Sequence, residues 1–592
     1  MSDATPPPPN QDQQPILIAG AGIFGLSTAL SLLHRSKPDG PRYPSPSITR
    51  PDASLSHLLS TAPIQILDAS ATLPNPVGSS VDSSRIIRAD YPSPLYSRLA
   101  RQAQERWRDR TPEGWGGEGR YMESGLVVVA DHERHVGDGE AESGRRYVQG
   151  ALENVRAALG QGGGAEQQEE EEEEEEARES LVQELPDGAS IRSITGYASA
   201  MGDSGYVNWG SGWADAEACV AFALEKIRRE DSEGRVTIEC GKRVERFLFS
   251  DPESEPELDL DPSINASGAQ TPEPRPRPKP VCTGIQLSSG EIRKASLVIL
   301  ATGSWTPTLV DLRGRAIATG QVLAYMPLSE GEHAALSRKP VHINMSRGMF
   351  VMPPRARDGE SRRELKIARH GFGYRNPRMV REPALLQRRK MGQRRAEGRG
   401  GEEGAMRGPE NAEPGAGVGD GDGDEEKGRG GHEMLEISVP DTTIPIPPEG
   451  EEACRKMARE AFGYPDPASN PDSDVKMKEL HELAALANRP FSRTRLCWYC
   501  DTPSGNFLIT AHPHSRNLFL ATGGSGHAFK FFPVIGDKIV DAIEGTLEPG
   551  LRELWRWRAD AEAADDMFDT TGDGSRGGPR GMRLDVEVGR RR

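Results

Sequence analysis

The sequence predicts an α/β fold, and three observations carry that prediction. Short uncharged runs of four or five residues, of the kind that form buried parallel strands, alternate with amphipathic helical stretches. The first run leads directly into three glycines at fixed spacing and then a helix. Between the patterned segments lie long polar, Gly- and Pro-rich stretches with too little apolar content to bury a core.

The elements follow in order. Residues 1–14 are Pro- and Gln-rich and read as disordered. Ile16–Ala19 is the first strand, and the helix after it carries Leu26, Leu30 and Leu33 on one stripe. Residues 37–62, rich in Pro and Ser, read as an insertion before the second strand, Ile64–Leu67. Amphipathic helices are expected over Tyr96–Trp107 and Ala214–Ile227, a buried strand over Leu297–Ala301, a strand over Leu518–Ala521 and a helix over Val534–Ile543. Residues 134–180, 250–280 and 382–432 read as low-complexity insertions, and 566–592 as a polar tail. Strands alternating with helices argue α/β architecture.

Composition bounds the function. The chain has 592 residues, and removing the biased stretches leaves roughly 400, ample for one large core or two joined ones. Net charge is −17, eight negatives coming from the run Glu169–Glu176, so no global attraction for nucleic acid or an anionic membrane is expected. Six cysteines in so long a chain are no disulfide framework and suit a reducing compartment. The uncharged stretch Pro15–Leu33 follows no Lys or Arg and contains three glycines, which argues against a signal sequence or membrane span. The chain ends in Arg590-Arg591-Arg592, not a peroxisomal tripeptide. A cytoplasmic monomer is the expectation.

The glycines Gly20, Gly22 and Gly25 form G-x-G-x-x-G between a strand and a helix. Gly20 makes the tight turn, Gly22 lets the backbone, with Ile23 and Phe24, approach a pyrophosphate, and Gly25 allows close helix–strand packing. The strand–turn–helix context makes this a dinucleotide site. Asp68 closes the second strand, 43 residues beyond Gly25 because of the 37–62 insertion. An acid there suits an unphosphorylated ribose, hence FAD or NAD.

Five further segments choose between them. Ser79 to Tyr91 contains Ser84-Arg85-Ile86-Ile87-Arg88; Gly205-Tyr206-Val207-Asn208 precedes Gly212-Trp213-Ala214; Leu365-Lys366 precedes His370; Leu496-Cys497-Trp498-Tyr499-Cys500-Asp501 precedes Phe507; and Gly523-Gly524-Ser525-Gly526-His527 runs into Lys530. In this order they resemble the monomeric sarcosine oxidase family, which includes pipecolate, saccharopine and fructosyl amine oxidases. The resemblance spans residues 15 to about 555 outside the insertions. It implies a Rossmann-type FAD-binding domain (15–110, 205–240, 283–330 and 495–555) and an antiparallel-sheet substrate domain (111–204 and 331–494), with residues 556–592 as a helix end and tail.

The resemblance also implies roles. Lys366 would stand over the flavin and favour electron transfer to O2, since a fixed cation stabilises superoxide. His370, Arg85, Tyr499 and His527 complete the catalytic set. Arg88 would bind the substrate carboxylate with Lys530, beside Tyr499. Ser84, Arg85, His527, Lys530, Gly524, Gly526 and the Ala301-Thr302-Gly303 turn would contact FAD. Cys497 would carry a flavin thioether. From the residues alone Cys497-x-x-Cys500 also fits a redox pair or half a zinc site, although the other cysteines offer no second pair with ligand spacing, so no metal is expected. The implied reaction oxidises the C–N bond of a secondary-amine amino acid to an imine, with O2 reduced to H2O2. Three alternatives stay open: a dehydrogenase on the same fold, a D-amino-acid-oxidase-like enzyme with non-covalent FAD, and a non-enzymatic flavoprotein.

Overall fold

The fold is that of a computed structural model, described here for residues 13–37, 53–132, 138–159, 181–250, 279–354, 363–381, 434–463, 481–559 and 574–589. The first sheet has the order Leu508–Ala511, Leu518–Thr522, Leu297–Leu300, Ile16–Ala19, Ile64–Leu67, Val236–Glu239. All neighbours are parallel except the antiparallel edge pair Leu508–Ala511 and Leu518–Thr522. Its central strands are buried on both faces, as their unbroken apolar runs require. Helix Ile23–Ser36 covers one face, and helix Phe532–Ile543 crosses it closely at Ser27 and Gly536, where Ser27 Oγ accepts the Gly536 N–H at 2.8 Å. A Cβ on Gly25 would collide with the Gly20 carbonyl, so the third glycine is fixed by helix–strand packing.

The second sheet has eight strands, in the order Arg493–Asp501, Ile317–Pro327, Glu364–Arg369, Met349–Met352, Val341–Asn344, Leu126–Ala130, Ser204–Asn208, Val182–Leu185. Every neighbouring pair is antiparallel except Val341–Asn344 with Leu126–Ala130. Alternation sorts its side chains. Val322, Ala324, Val351 and Ile367 pack in one cluster with Met457 and Ala461 of helix Pro448–Phe462. Leu323, Tyr325, Phe350 and Met352 belong to another, which borders the chamber described below.

Several segments differ from the sequence reading. Ile317–Pro327 and Arg493–Asp501 fall by sequence in the FAD-binding segments, yet they pair with each other in the second sheet. Their pairing joins residues far apart in the chain, which local pattern does not reveal. The insertion 134–180 contains helix Asp138–Leu159, whose Tyr147, Val148, Ala151 and Val155 form a buried stripe that flanking Gly and Glu conceal. The 37–62 insertion contains helix Ala53–Thr61, packed through Leu55, Leu58 and Leu59. The polar tail returns to the core: Met582 and Leu584 are buried there. Residues 1–12, 160–180, 251–278 and 382–433 of the segments read as disordered or inserted lie outside the described residues. Among the described residues no helix is long and apolar enough to cross a membrane.

Burial leaves a measurable trace in the pH dependence of stability. His342, on strand Val341–Asn344, is fully buried, and this pushes its imidazole down to about 4. The folded protein keeps this ring neutral, whereas the unfolded chain protonates it near pH 6.5. Stability is therefore full above about pH 6.5 and falls as pH drops toward 4, by about 3 kcal/mol from this ring. In urea unfolding between pH 7 and 4, His342→Leu is expected to lose about that much less stability than the unsubstituted chain.

Candidate active site

The strands of the first sheet end around a cleft of about 390 Å³. Such crevices, at the carboxyl ends of parallel strands, are where α/β sheets bind ligands. Gly20, Gly22, Ile23, Phe24, Asp68, Arg85, Ala301, Thr302, Gly303, Gly524 and Gly526 line it. Gly20 has φ +109°, and a Cβ there would run into the Ala301 carbonyl. Gly22 caps helix Ile23–Ser36 without a side-chain hydrogen bond, leaving backbone to meet an anion. Asp68 Oδ2 accepts the Ala21 N–H at 2.9 Å; Oδ1 accepts the Ser70 N–H at 2.8 Å and Asn75 Nδ2 at 3.2 Å. The acid thus staples the glycine turn to the loop after the second strand. Gly25 lies behind the cleft, in the packing described above.

A smaller chamber of about 60 Å³ adjoins the cleft and shares Arg85, Tyr499, Gly526 and Phe529 with it. Lys366, His370 and His527 also line this chamber, so with Arg85 and Tyr499 all five catalytic candidates meet here, beside the substrate-binding candidates Arg88 and Lys530. Ser84, expected at the cofactor, lines the chamber instead, and its carbonyl accepts Lys366 Nζ at 2.9 Å. Cys497 lines neither space: its Sγ lies 3.4 Å from Arg85 Nη2, behind that guanidinium. Cys500 lines the cleft. The two thiols are three residues apart on one strand and pack in different clusters, which opposes the redox-pair reading of Cys497-x-x-Cys500.

One carboxylate organises the cation-rich side. Asp82 accepts Lys366 Nζ at 2.6 Å, Arg85 Nη1, the Tyr325 hydroxyl and the Ser83 N–H at 2.7 Å. Burial works to raise its pKa, but Lys366, Arg85 and Arg495 outweigh it, and the carboxyl lies well below its usual range. Burial lowers Lys366 to about 8, with Arg85 helping and Asp82 opposing.

Across the chamber, Arg88 gives Nη1 to the Asp90 carbonyl and Nη2 to Tyr147 Oη at 2.8 Å. The Asp90 carboxylate is turned elsewhere, accepting Tyr206 Oη at 3.0 Å, Asn208 Nδ2 at 3.0 Å and Ser211 Oγ at 2.8 Å. Lys530 Nζ donates to Tyr91 Oη at 2.8 Å and to the His527 carbonyl at 2.9 Å. His527 Nε2 faces the Gly505 carbonyl at 2.8 Å and so carries the proton, which makes Nδ1 the acceptor of the Tyr91 hydroxyl at 2.8 Å. Burial, then Arg88, holds Lys530 well below the usual lysine range; burial, then Arg576, does the same to His370. Among the described residues neither Arg88 nor Lys530 touches a carboxylate.

Five contributors had no assigned role in the sequence. Asp82, Asp90 and Tyr91 lie in the same segment as Arg85 and Arg88, where two acids beside two buried arginines were the available signal. Tyr147 is hidden in the helix read as an insertion. Arg576 comes from the chain's end and binds the Gly371 carbonyl at 3.0 Å and Asp501 Oδ1 at 2.5 Å.

No protein-family model matches the chain. It is similar to the amino acid oxidase imqH of Aspergillus flavus, with 28% identity over 92% of this chain and 97% of that protein. It is 24% identical to the L-saccharopine oxidase of Schizosaccharomyces pombe, over 93% of this chain and 94% of that one. Among solved structures it shares the fold of the fructosamine oxidase Amadoriase II of Aspergillus fumigatus, with TM-score 0.61 and 22% identity, covering 97% of this chain and 96% of that one.

The Asp82 cluster can be tested without any assay of activity. Asp82→Asn strands Lys366 and Arg85 as unpaired buried cations and should cost about 3–5 kcal/mol in urea unfolding. Adding Lys366→Met should restore part of that loss, since the two residues are coupled. Additive losses would show that the pair is not the source.

Proposed function

We propose that this chain, a near full-length relative of amino acid and saccharopine oxidases with the fold of the fructosyl amine oxidases, is an FAD-dependent oxidase of a secondary-amine amino acid. The observation that carries this reading is the buried pair Arg88 and Lys530, a guanidinium and a lysine amine that both line the chamber, with no carboxylate of the described residues against them. Burying such charges without an anion is costly, so the site is built to receive one. An amino acid's carboxylate is an anion of the right size, and Arg88 offers it a planar fork.

The residues of the cleft fit FAD. Gly20, Gly22 and the Ala301-Thr302-Gly303 turn clear space for a pyrophosphate at a helix N-terminus, Asp68 closes the second strand, and Gly524 and Gly526 border the chamber side. On this reading the first sheet is a Rossmann-type layer. FAD, when bound, supplies the acceptor for the substrate's hydride and the donor of two electrons to O2.

The protein's own residues do the rest. Arg88 and Lys530 orient the carboxylate, and Tyr499, shared by both spaces, borders the reacting carbon and nitrogen. The nearby cations disfavour the ammonium form, so the amine binds neutral with its lone pair free. Among the described residues no Asp or Glu lines the chamber, and burial holds His370 and His527 well below the usual imidazole range, so the reading assigns no carboxylate base. Lys366, fixed by Asp82, is the cation for the oxygen step. Two electrons and two protons pass from the C–N bond to O2, giving an imine and H2O2. The same reading makes the protein a cytoplasmic monomer with no nucleic-acid or membrane partner, in keeping with its net charge of −17.

Covalent attachment at Cys497 is part of the proposal: its Sγ lies 3.4 Å from Nη2 of Arg85, a residue that lines both cleft and chamber. Burial pushes Cys500 up to about 11, which opposes its thiolate. That Cys497 lines neither space favours a second reading with non-covalent FAD. Acid precipitation decides: yellow colour staying with the pellet, and released by Cys497→Ser, establishes the bond, whereas colour in the supernatant establishes the alternative.

Kinetics test the roles. Arg88→Met should raise the substrate's KM at least about 30-fold, the loss expected when a buried charge partner is removed. The rate of reaction with O2 should fall as pH rises above about 8, where Lys366 loses its proton. Stopped-flow mixing of reduced enzyme with O2 at pH 6–10 measures this, and a flat profile would refute the Lys366 role.

A further inference from the structure

Arg88 is held by a helix that lines neither cleft nor chamber. Tyr147, on helix Asp138–Leu159, is 1% exposed and lies outside both spaces. Its hydroxyl accepts Arg88 Nη2 at 2.8 Å and donates to the Asp90 carbonyl at 3.2 Å, and that carbonyl also accepts Arg88 Nη1. Guanidinium, hydroxyl and carbonyl thus close a triangle of hydrogen bonds. The guanidinium carbon lies 5.3 Å from the centre of the Tyr147 ring and 5.2 Å from that of the Tyr91 ring, within reach of a cation–π contact. The helix is seated for this purpose. Tyr147, Gly150 and Asn154 follow one another at spacings of three and four residues, so they share one face. Asn154 Nδ2 donates to the Tyr91 carbonyl at 2.9 Å and to the Pro92 carbonyl at 2.7 Å. A Cβ on Gly150 would stand 3.2 Å from the Pro92 Cβ, so glycine lets the helix lie close to the segment that carries Arg88.

These partners are all neutral: a carbonyl, a phenol and two aromatic rings. A guanidinium carries five N–H donors in one plane. Among the described residues the carbonyl and the hydroxyl take two of them, and the rest stay available to a ligand. A carboxylate in place of Tyr147 would hold the guanidinium as firmly but would offset its charge. An apolar wall would keep the charge but let the plane turn. Bidentate recognition of a carboxylate depends on that plane. Without the hydroxyl, the N–H on the helix side loses its acceptor, and turning to find another moves the fork. Tyr147 lies outside the chamber, so its effect on a ligand there passes through Arg88.

We infer that Tyr147 is a positioning residue of the substrate site, a neutral partner that aims the Arg88 guanidinium and leaves its charge for the substrate's carboxylate. This rests on the reading of Arg88 given above. The test uses purified holoenzyme and propionate, a non-reacting carboxylate, whose Kd is read from the change in flavin absorbance at constant ionic strength. Tyr147→Phe keeps the ring and its packing and removes only the hydroxyl. It should raise the propionate Kd about tenfold, the loss of one hydrogen bond to a charged group. Arg88→Lys keeps a charge but has no plane to aim. In that background Tyr147→Phe should change the Kd less than threefold, since the two residues act as a unit. An unchanged or lowered Kd in Tyr147→Phe, with Arg88→Met still weakening the probe, would overturn the inference and leave the Arg88 reading standing. An equal loss in both backgrounds would also overturn it, because a merely structural effect does not depend on the guanidinium. If Arg88→Met binds propionate as well as the unsubstituted enzyme does, the Arg88 reading fails and this inference fails with it.

Discussion

The site depends on one buried carboxylate. Asp82 binds both Lys366 and Arg85 and holds the Tyr325 hydroxyl, so it ties the loop beside the cleft to the second sheet, with one positive charge of the trio left over. Taking three charges out of water costs more than a simple pair returns unless every lone pair and proton is used. Here both carboxylate oxygens are, and the Lys366 ammonium gains the Ser84 carbonyl as well. Such a cluster contributes geometry more than stability. It fixes two cations where cleft and chamber meet, and it leaves Lys366 close enough to neutrality that its charge depends on pH.

Asp90 shows the opposite use of an acid. It lies two residues from Arg88, yet its carboxylate is consumed by Tyr206, Asn208 and Ser211, and Arg88 receives only its carbonyl. The turn is thereby anchored to strand Ser204–Asn208 while the guanidinium keeps its charge for the chamber. One acid pairs directly with two cations and offsets part of their charge, and the other holds a cation in place without pairing with it. Two residues of nearly identical chemistry do different work because their side chains point to different elements.

That difference marks what was legible in the sequence. The glycine fingerprint, Asp68 and the order of the strands could be read because they are local: a turn, a strand end and a period. Arg85, Arg88, Lys366 and Lys530 could be named because their segments resemble a known family, and the structure gathers them around one chamber. Asp82 and Asp90 lay in plain view but unassigned, since their roles depend on partners about 120 to 280 residues away. Tyr147 was masked by its neighbours: a buried stripe on a helix disappears from view when Gly and Glu crowd its ends. The sheet membership of Ile317–Pro327 and Arg493–Asp501 is a matter of pairing, and composition carries no information about pairing.

The chain's end supplies the last constraint. Residues 574–589 return to the body of the fold, where Gly574 passes so close to helix Asp138–Leu159 at Ser143, and Gly577 to the turn at Ser346–Gly348, that a Cβ would collide. This approach delivers Arg576 to Asp501 and to the Gly371 carbonyl, with its guanidinium over the Tyr499 ring at 5.5 Å. Burial keeps the Asp501 carboxyl above its usual range despite that partner, while the positive charge of Arg576 is the largest influence after burial in keeping His370 neutral. A ring that stays neutral can accept a hydrogen bond from a neutral amine, whereas an imidazolium would add a further cation to a chamber already holding the Arg88 guanidinium. The polar character of the C-terminal residues is therefore no sign that they are dispensable: the state of a side chain in the chamber is set in part by the last twenty residues of the chain.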